Sequence, residues 1–340
     1  MMQTILSNAP GLIFLLITVG VLAFIGFRLG VRFLVRRLAS LVFVTLGVSF
    51  ITFILGHLVP FDIVYYQLGQ HYTPARGAVL RHIYGLDLPW YQQYGRYLNQ
   101  LLHFDLGYSW NNSSQRVWDI MARYLPASME LGLWGTLLTV VVGVPLGVAI
   151  AVRANTRFDT VVQAVALVLY ALPTFAIIPF FVLAMIWLHN QNLPSLATSG
   201  WGNWDQEIGP ITIFAAGGFG YFVRLTRTSM IEELGKDYVR SARAKGLSEQ
   251  VVIWRHAFRN ALLPLLSALG PTFAFLVTGV FIIEFLFNIP GIGYYTLIAI
   301  SSQDVPVVQA TVILLAVAVV MMNLLTDVAY GFADPRIKSE

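Results

Sequence analysis

The sequence predicts an all-α integral membrane protein, a bundle of about seven membrane-spanning helices, and three observations carry that reading. Of 340 residues, 57% are hydrophobic and only 11% charged. A soluble domain carries roughly a quarter of its residues charged, so this chain has too few to cover a soluble surface. Its mean hydropathy is +0.71. Finally, uncharged apolar stretches long enough to cross roughly 30 Å of hydrocarbon, at about 1.5 Å of rise per residue, recur along the chain. None shows the residue-by-residue alternation of an outer-membrane barrel strand.

In chain order the expected spans are Ala9–Phe27, Leu38–Gly56, Leu131–Val152, Thr160–Leu188, Ile208–Val223, Ala261–Ile283 and Val305–Thr326. The first has no basic region ahead of it and no small-residue cleavage site, so it reads as a retained anchor, not a removable signal. The fifth is the weakest by hydropathy, being short and carrying Gly209, Pro210, Gly217, Gly218 and Gly220. Between the second and third lies Val59–Tyr124, rich in Tyr, Trp, Gln and His, with turn signals at Pro60, Pro74, Pro89 and Asn111–Ser114. It is too polar for lipid, and its aromatic residues suit short interfacial helices at the headgroups.

Charge sets the orientation. The segments Arg28–Arg37, Arg153–Asp159, Arg224–Asn260 and Gly331–Glu340 hold 16 of the 21 Lys and Arg residues; Arg76, Arg81, Arg96, Arg116 and Arg123 lie on the other side. Basic loops stay cytoplasmic, so the expected topology is N-terminus outside and C-terminus inside. The fifth span is needed for this, because without it the eight basic residues of Arg224–Asn260 fall outside.

Catalytic signatures are missing. There is no zinc-protease motif, no phosphate loop and no glycine-rich dinucleotide turn; Gly235-Lys236 lacks the upstream glycine spacing of a nucleotide cradle. Gly107-Tyr108-Ser109 resembles a nucleophile context but falls in the outer segment. With no cysteine and six scattered histidines (57, 71, 82, 103, 189, 256), no metal-ligand spacing emerges. We therefore expect no catalytic residues, no metal and no nucleic-acid partner, with membrane lipid as the surroundings. Ionisable groups near spans are functional candidates by default. Here they are Glu130, Glu284 and Asp327, all near span ends. Prolines and glycines within spans, including Pro145, Pro173, Pro179, Gly143 and Gly147, allow close helix approach and bending.

The most informative stretch is Arg224–Pro264, the one sizeable cytoplasmic loop. Glu232–Lys245 reads as helix, Gly246 as a left-handed cap that ends it, and Ser248 as the cap of the next helix. Two helices with a glycine-capped turn would thus project from the membrane, carrying small residues at Ser241, Ala242 and Ala244.

These residues resemble a family. Asp237-Tyr238-Val239-Arg240-Ser241-Ala242-Arg243-Ala244-Lys245-Gly246-Leu247, followed by His256–Pro264, resembles the coupling motif of ATP-binding-cassette importer permeases, in the variant of the peptide/nickel branch. Asp105–Ser109, Pro126–Gly132, Glu284 with Asn288–Gly293, Asp304–Gln309 and Asp334–Ile337 extend the similarity over roughly residues 33–337. Two departures stand out. Arg240-Ser241-Ala242 replaces the Glu-Ala-Ala of general importer permeases, as is usual in the peptide branch. Also, Ala9–Phe27 is additional to the usual six spans.

The resemblance implies a type I importer permease bundle of six helices over 33–337, with residues 1–32 as an extra N-terminal anchor, 59–124 as the extracytoplasmic segment and 224–260 as the coupling loop. It implies a pore-forming subunit in the prokaryotic inner membrane, paired with a second homologous permease. Two ATPases would dock on Asp237–Leu247 and hold the ATP and magnesium, so this chain would carry no cofactor. An extracytoplasmic binding protein would deliver the cargo, which in this branch is most often di- or oligopeptide, with nickel complexes and oligosaccharides left open. Glu284 would lie at the outer mouth, in a gating or structural role. A secondary transporter, the alternative class, should show internal repeats and midplane carboxylates, and neither is evident.

Overall fold

The computed structural model describes residues 31–58, 62–278 and 280–333. Ala9–Phe27 and the Asp334–Ile337 tail lie outside the described residues, as does the side chain of Asp327. Among the described residues all regular structure is helical, apart from one isolated bridge between Tyr108 and Arg116.

Helix α1 is Val31–Leu58. Three short helices follow: α2 (Ile63–Leu68), α3 (Pro74–Tyr84) and α4 (Trp90–Leu102). They form a cap beside the C-terminal end of α1, against which α4 packs, and are followed by α5, Val117–Val152. Asp62 caps α2 by accepting from Val64 N at 3.0 Å and pairs with Arg81 of α3. Pro74 and Pro89, expected as turn signals, stand where the chain passes from a turn into a helix, Pro74 as the first residue of α3 and Pro89 as the residue capping α4, where a missing N–H has no partner to lose.

Next come α6 (Arg157–Ala171), α7 (Thr174–Asn190) and α8 (Trp204–Leu234). The chain continues with α9 (Asp237–Ala244), a π-helical stretch Val252–Ala257, and α10 (Phe258–Thr278). It ends with α11 (Phe281–Phe287), α12 (Ile292–Ser301) and α13 (Val305–Ala333). Among the described residues four stretches are long and apolar enough to cross a membrane: Val35–Leu58, Val117–Val152, Trp204–Leu234 and Val305–Thr326. The bent pairs α6–α7 and α11–α12 raise this to six if each is one span.

Two expected spans are corrected. Thr160–Leu188 is broken by a 99° bend between α6 and α7. Leu172 there is extended (ψ 124°), because the ring of Pro173 excludes helical geometry from the residue before it. Ala261–Ile283 likewise ends early, and its last residues belong to α11, which meets α12 at 85°.

Packing centres on α5 against α8. In lipid there is little hydrophobic gain from joining two apolar helices, so close fit and buried hydrogen bonds must hold them. A Cβ on Gly147 would lie 2.5 Å from Thr226 Cβ, and one on Gly220 only 2.1 Å from the carbonyl oxygen of Ala166 in α6. Thr139 of α5 donates to Ala215 O of α8 at 3.1 Å, a contact worth about 0.6 kcal/mol on average. The glycines that weaken the hydropathy of the fifth span are the places where its neighbours touch it. Helix α5 also carries Pro126 and Pro145 inside it and, at 36 residues, runs about 54 Å, from the cap end of the bundle to α9.

Candidate functional site

Residues 224–260 form a compact structure at the end of α5 opposite the cap. Helix α8 stops at Leu234, Gly235 closes it, and extended Lys236 (ψ 152°) turns the chain into α9. Glu232–Lys245, expected as one helix, is therefore two. Lys236 Nζ bonds Glu233 Oε1 at 2.6 Å, and Tyr238 OH donates to Glu233 Oε2 at 2.5 Å while accepting from Asn260 Nδ2 at 2.9 Å. Tyr238 thus fastens α9 to the end of α8 and the start of α10. Burial, together with the Glu233 carboxylate, pushes its hydroxyl pKa up.

The α9 helix has two faces. Val239 and Ala242, spaced i, i+3, are buried among Val148, Ala151, Met230, Ile253 and Ala257. Asp237, Arg240, Ser241, Arg243, Ala244 and Lys245 remain exposed, as do Gly246 and Leu247. Gly246 is left-handed (φ +75°), as its place in the sequence requires. Across the turn Arg243 grips Glu249 with two bonds, Nε at 3.1 Å and Nη2 at 2.6 Å. The guanidinium holds the Glu249 carboxyl below the usual carboxylate range. Ser248 occupies the cap position expected of it but makes no side-chain cap bond.

The other sequence segments converge at the opposite end of the bundle, beside the cap. Ser109 Oγ donates to Asp304 Oδ2, and Trp110 N donates to Asp304 Oδ1 at 3.0 Å, joining Asp105–Ser109 to Asp304–Gln309. Ser109 therefore serves as a fastener between the cap and α13. Ser128 of α5 accepts from Ile292 N at 2.8 Å, joining Pro126–Gly132 to Asn288–Gly293. Glu130 is exposed and accepts from Trp201 Nε1 at 3.2 Å.

Glu284 differs from its expected setting at the end of a span, facing the outer mouth. It sits in α11, fully buried, accepting from Tyr294 N at 3.0 Å in the first turn of α12. A Cβ on Gly291 would overlap it, 2.2 Å from Oε2. The carboxylate is directed at its own chain, where a helix N-terminus with free N–H groups favours negative charge. In this conformation it does not reach a surface from which to pair with a partner permease.

Sequence reading missed one group. Asp159 of α6, 2% exposed, is held by Arg227 of α8 through Nε at 2.7 Å and Nη2 at 2.6 Å, and also accepts from Asn155 N and Gln163 Nε2. The available signal was Thr156 three residues ahead, the spacing of a helix cap, and Thr156 Oγ1 does accept from Asp159 N at 3.3 Å.

Residues 143–339 match the family described as binding-protein-dependent transport system inner membrane component. Residues 30–132 match the N-terminal part of such membrane components. The chain belongs to this permease family. A dipeptide transport system permease protein of Bacillus subtilis (strain 168) is 35% identical over 315 residues, covering 90% of this chain and 98% of its own length. The dipeptide transport system permease protein of Escherichia coli (strain K12) is 33% identical over 335 residues, with the same coverage. A putative peptide transport system permease protein of Brucella abortus (strain 2308) is 37% identical over 310 residues, again covering 90% of this chain and 98% of its own length. The helical bundle expected from the sequence is thus the fold of a transport permease, a membrane-embedded component and not a catalytic chain. In this permease the α9 region, the Asp159–Arg227 pair and α10 all fall within the first match, and the cap helices α2–α4 within the second.

Proposed function

We propose that this permease is one of two pore-forming subunits of an ATP-driven importer of di- or oligopeptides, moved by two ATPase subunits that dock on α9 and supplied by an extracytoplasmic binding protein. The observation that carries the docking role is the division of α9. One face, Val239 and Ala242, is fixed in the core that holds the ends of α5, α8 and α10. The other, with Asp237, Arg240, Ser241, Ala244 and Lys245, is exposed. A push on the exposed face is delivered directly to three long helices, as a packed core does not deform continuously. The peptide cargo rests on the relatives, whose names specify dipeptide or peptide transport.

The mechanism is alternating access. Closure of the ATPases around ATP would displace α9, α8 and α10 together and turn the pathway outward, and hydrolysis would reset it. The basic asymmetry supports an orientation with α9 in the cytoplasm and α2–α4 outside. Purification of the tagged permease from its native membrane, followed by reconstitution with the binding protein, tests the reading. A stoichiometric ATPase and a second permease should accompany it, and ATP should drive uptake of a labelled dipeptide. Uptake of that peptide without any ATPase would overturn the proposal.

A further inference from the structure

Helix α4 is divided into four sectors, and one of them faces nothing among the described residues. At about 100° per residue, Trp90, Tyr91, Tyr94, Tyr97, Leu98, Leu101 and Leu102 occupy roughly 140° of its circumference. Within that arc, Tyr94 and Tyr97 lean on α1. Tyr94 OH bonds Ser49 Oγ at 3.0 Å, and its ring meets Phe50 and Phe53 with centroids 5.4 and 5.2 Å away. The polar arc is tied to the cap and to the end of α1. Gln93 donates to Leu88 O at 2.8 Å and meets His57 at 3.0 Å, and Arg96 lies over Gly85 of the α3 cap. Gln92, Gly95 and Asn99 are exposed. The remaining apolar edge, on the side of Tyr91 and Leu102, stays open, with Tyr91 58% and Leu102 78% exposed.

Phe104 adds a further exposed apolar side chain two residues after Leu102. It follows α4 in a left-handed conformation (φ +55°) that a bulky side chain rarely adopts, and its ring is 79% exposed. The position after a helix cap normally takes glycine. Surrounded by water, Phe104 would be unfavourable twice, in backbone and in solvation. In an apolar medium only the backbone cost remains.

We propose that α4 with Phe104 is an in-plane anchor, seated in the headgroup and upper acyl region of the leaflet opposite α9, with Tyr91, Leu102 and Phe104 in lipid. Two features choose phospholipid over a protein partner. The open edge lies between the sector packed on α1 and the sector facing water, which is where the lipid boundary of a spanning helix must pass. It is also continuous with lipid-exposed residues of the same end of α1: Phe50, Ile51, Leu55 and Leu58 are 42–71% exposed on a helix long enough to cross the membrane. The aromatic content fits as well, since Trp and Tyr favour the interface, and α4 holds one Arg and no acidic residue to oppose anionic headgroups. An amphipathic helix with this division lies in the membrane plane. The anchor would hold the cap at a fixed depth over the pathway.

Because the chain has no cysteine, single spin labels test this directly. Tyr91→Cys, Leu102→Cys and Phe104→Cys on one side of α4, and Gln92→Cys and Asn99→Cys on the other, would be labelled in the purified complex in phosphatidylethanolamine/phosphatidylglycerol nanodiscs. All five positions are exposed, so the labels disturb no core. Collision with oxygen should exceed collision with aqueous nickel chelate at the first three, and the ratio should invert at the other two. Phe104→Gly, which relieves the backbone, should raise chelate access at a label on position 102. Equal chelate access on both sides of α4 would overturn the proposal. So would immobilised labels at 91, 102 and 104 shielded from both reagents, which would mean that a protein partner covers this edge.

Discussion

The α11–α12 hairpin at the outer end and the α9 segment at the opposite end are both short helical pieces inserted between long ones, yet they are built by opposite means. The hairpin turns its acidic side chain inward. Glu284 is fully buried against Gly291 and the first turn of α12, Ser128 holds Ile292 N, and Gly200 N reaches across to Phe287 O at 2.9 Å. The α9 segment turns its charge outward. Its attachment is largely apolar, through Val239 and Ala242, with Tyr238 as its one polar tie to α8 and α10, and its ion pairs lie in water. Buried polar contacts are directional and tolerate little displacement, whereas an apolar face with solvated charge above it can be grasped from outside. One end is fixed by directional polar contacts, the other presents a solvated charged face, as the proposed docking role needs.

The largest test of this contrast is Gly291→Ala. The added methyl would fall on the Glu284 carboxyl and on Ser128 Oγ, so this buried, hydrogen-bonded group must shift to admit it and we expect a loss of about 2 kcal/mol, read as a lowered melting temperature of the purified permease. A stability unchanged from wild type would mean that the hairpin is looser than its contacts indicate.

Next in size is the pair Ala242→Trp and Ala244→Trp, two positions apart on opposite faces of α9. The first overfills the core and should destabilise the permease itself by about 2 kcal/mol. The second should leave melting unchanged and lower the ATPase activity stimulated by cargo. Equal effects of the two on stability would break the two-face description.

The smallest effect concerns the solvated pair. The Glu249 carboxyl titrates below its usual value of 4.5 because of Arg243. A lowered folded-state pKa gives stability that is present above the unfolded value and lost as pH falls through the folded one. Wild type and Glu249→Gln should therefore differ slightly in melting temperature at pH 7 and converge in acid below 4.5. A difference that grows in acid would show that the pair acts otherwise.

Sequence reading reached the bundle, the cap segment and the α9 region, because hydropathy and basic clusters are sums over many residues. It did not reach features that depend on phase or direction. Hydropathy runs unbroken through Thr160–Leu188, yet Leu172-Pro173 turns the chain, and only the steric rule for the residue before proline signals it. The small residues of α9 were recognisable, but which of them face inward depends on the stop at Gly235, which sets the helix phase. Glu284 was visible as an ionisable group near a span end. Its partner, the backbone of α12, is created only when the chain folds back through Asn288, left-handed at φ +54°.

Helix α5 touches both contrasting ends, and its two prolines divide it unevenly. Pro126 and Pro145 are 19 residues apart, about 28 Å along the axis, close to the roughly 30 Å of a hydrocarbon core. Each removes a backbone hydrogen bond at its own level. What lies beyond them is a handle at either end. Val117, Ile120 and Met121 are gripped by the outer core, and Val148 and Ala151 by the core beneath α9. The shaft between is ruled to the thickness of the bilayer, so any bending of this rod would fall where oil meets water, and the part immersed in lipid would pass on the motion of either handle without itself changing length.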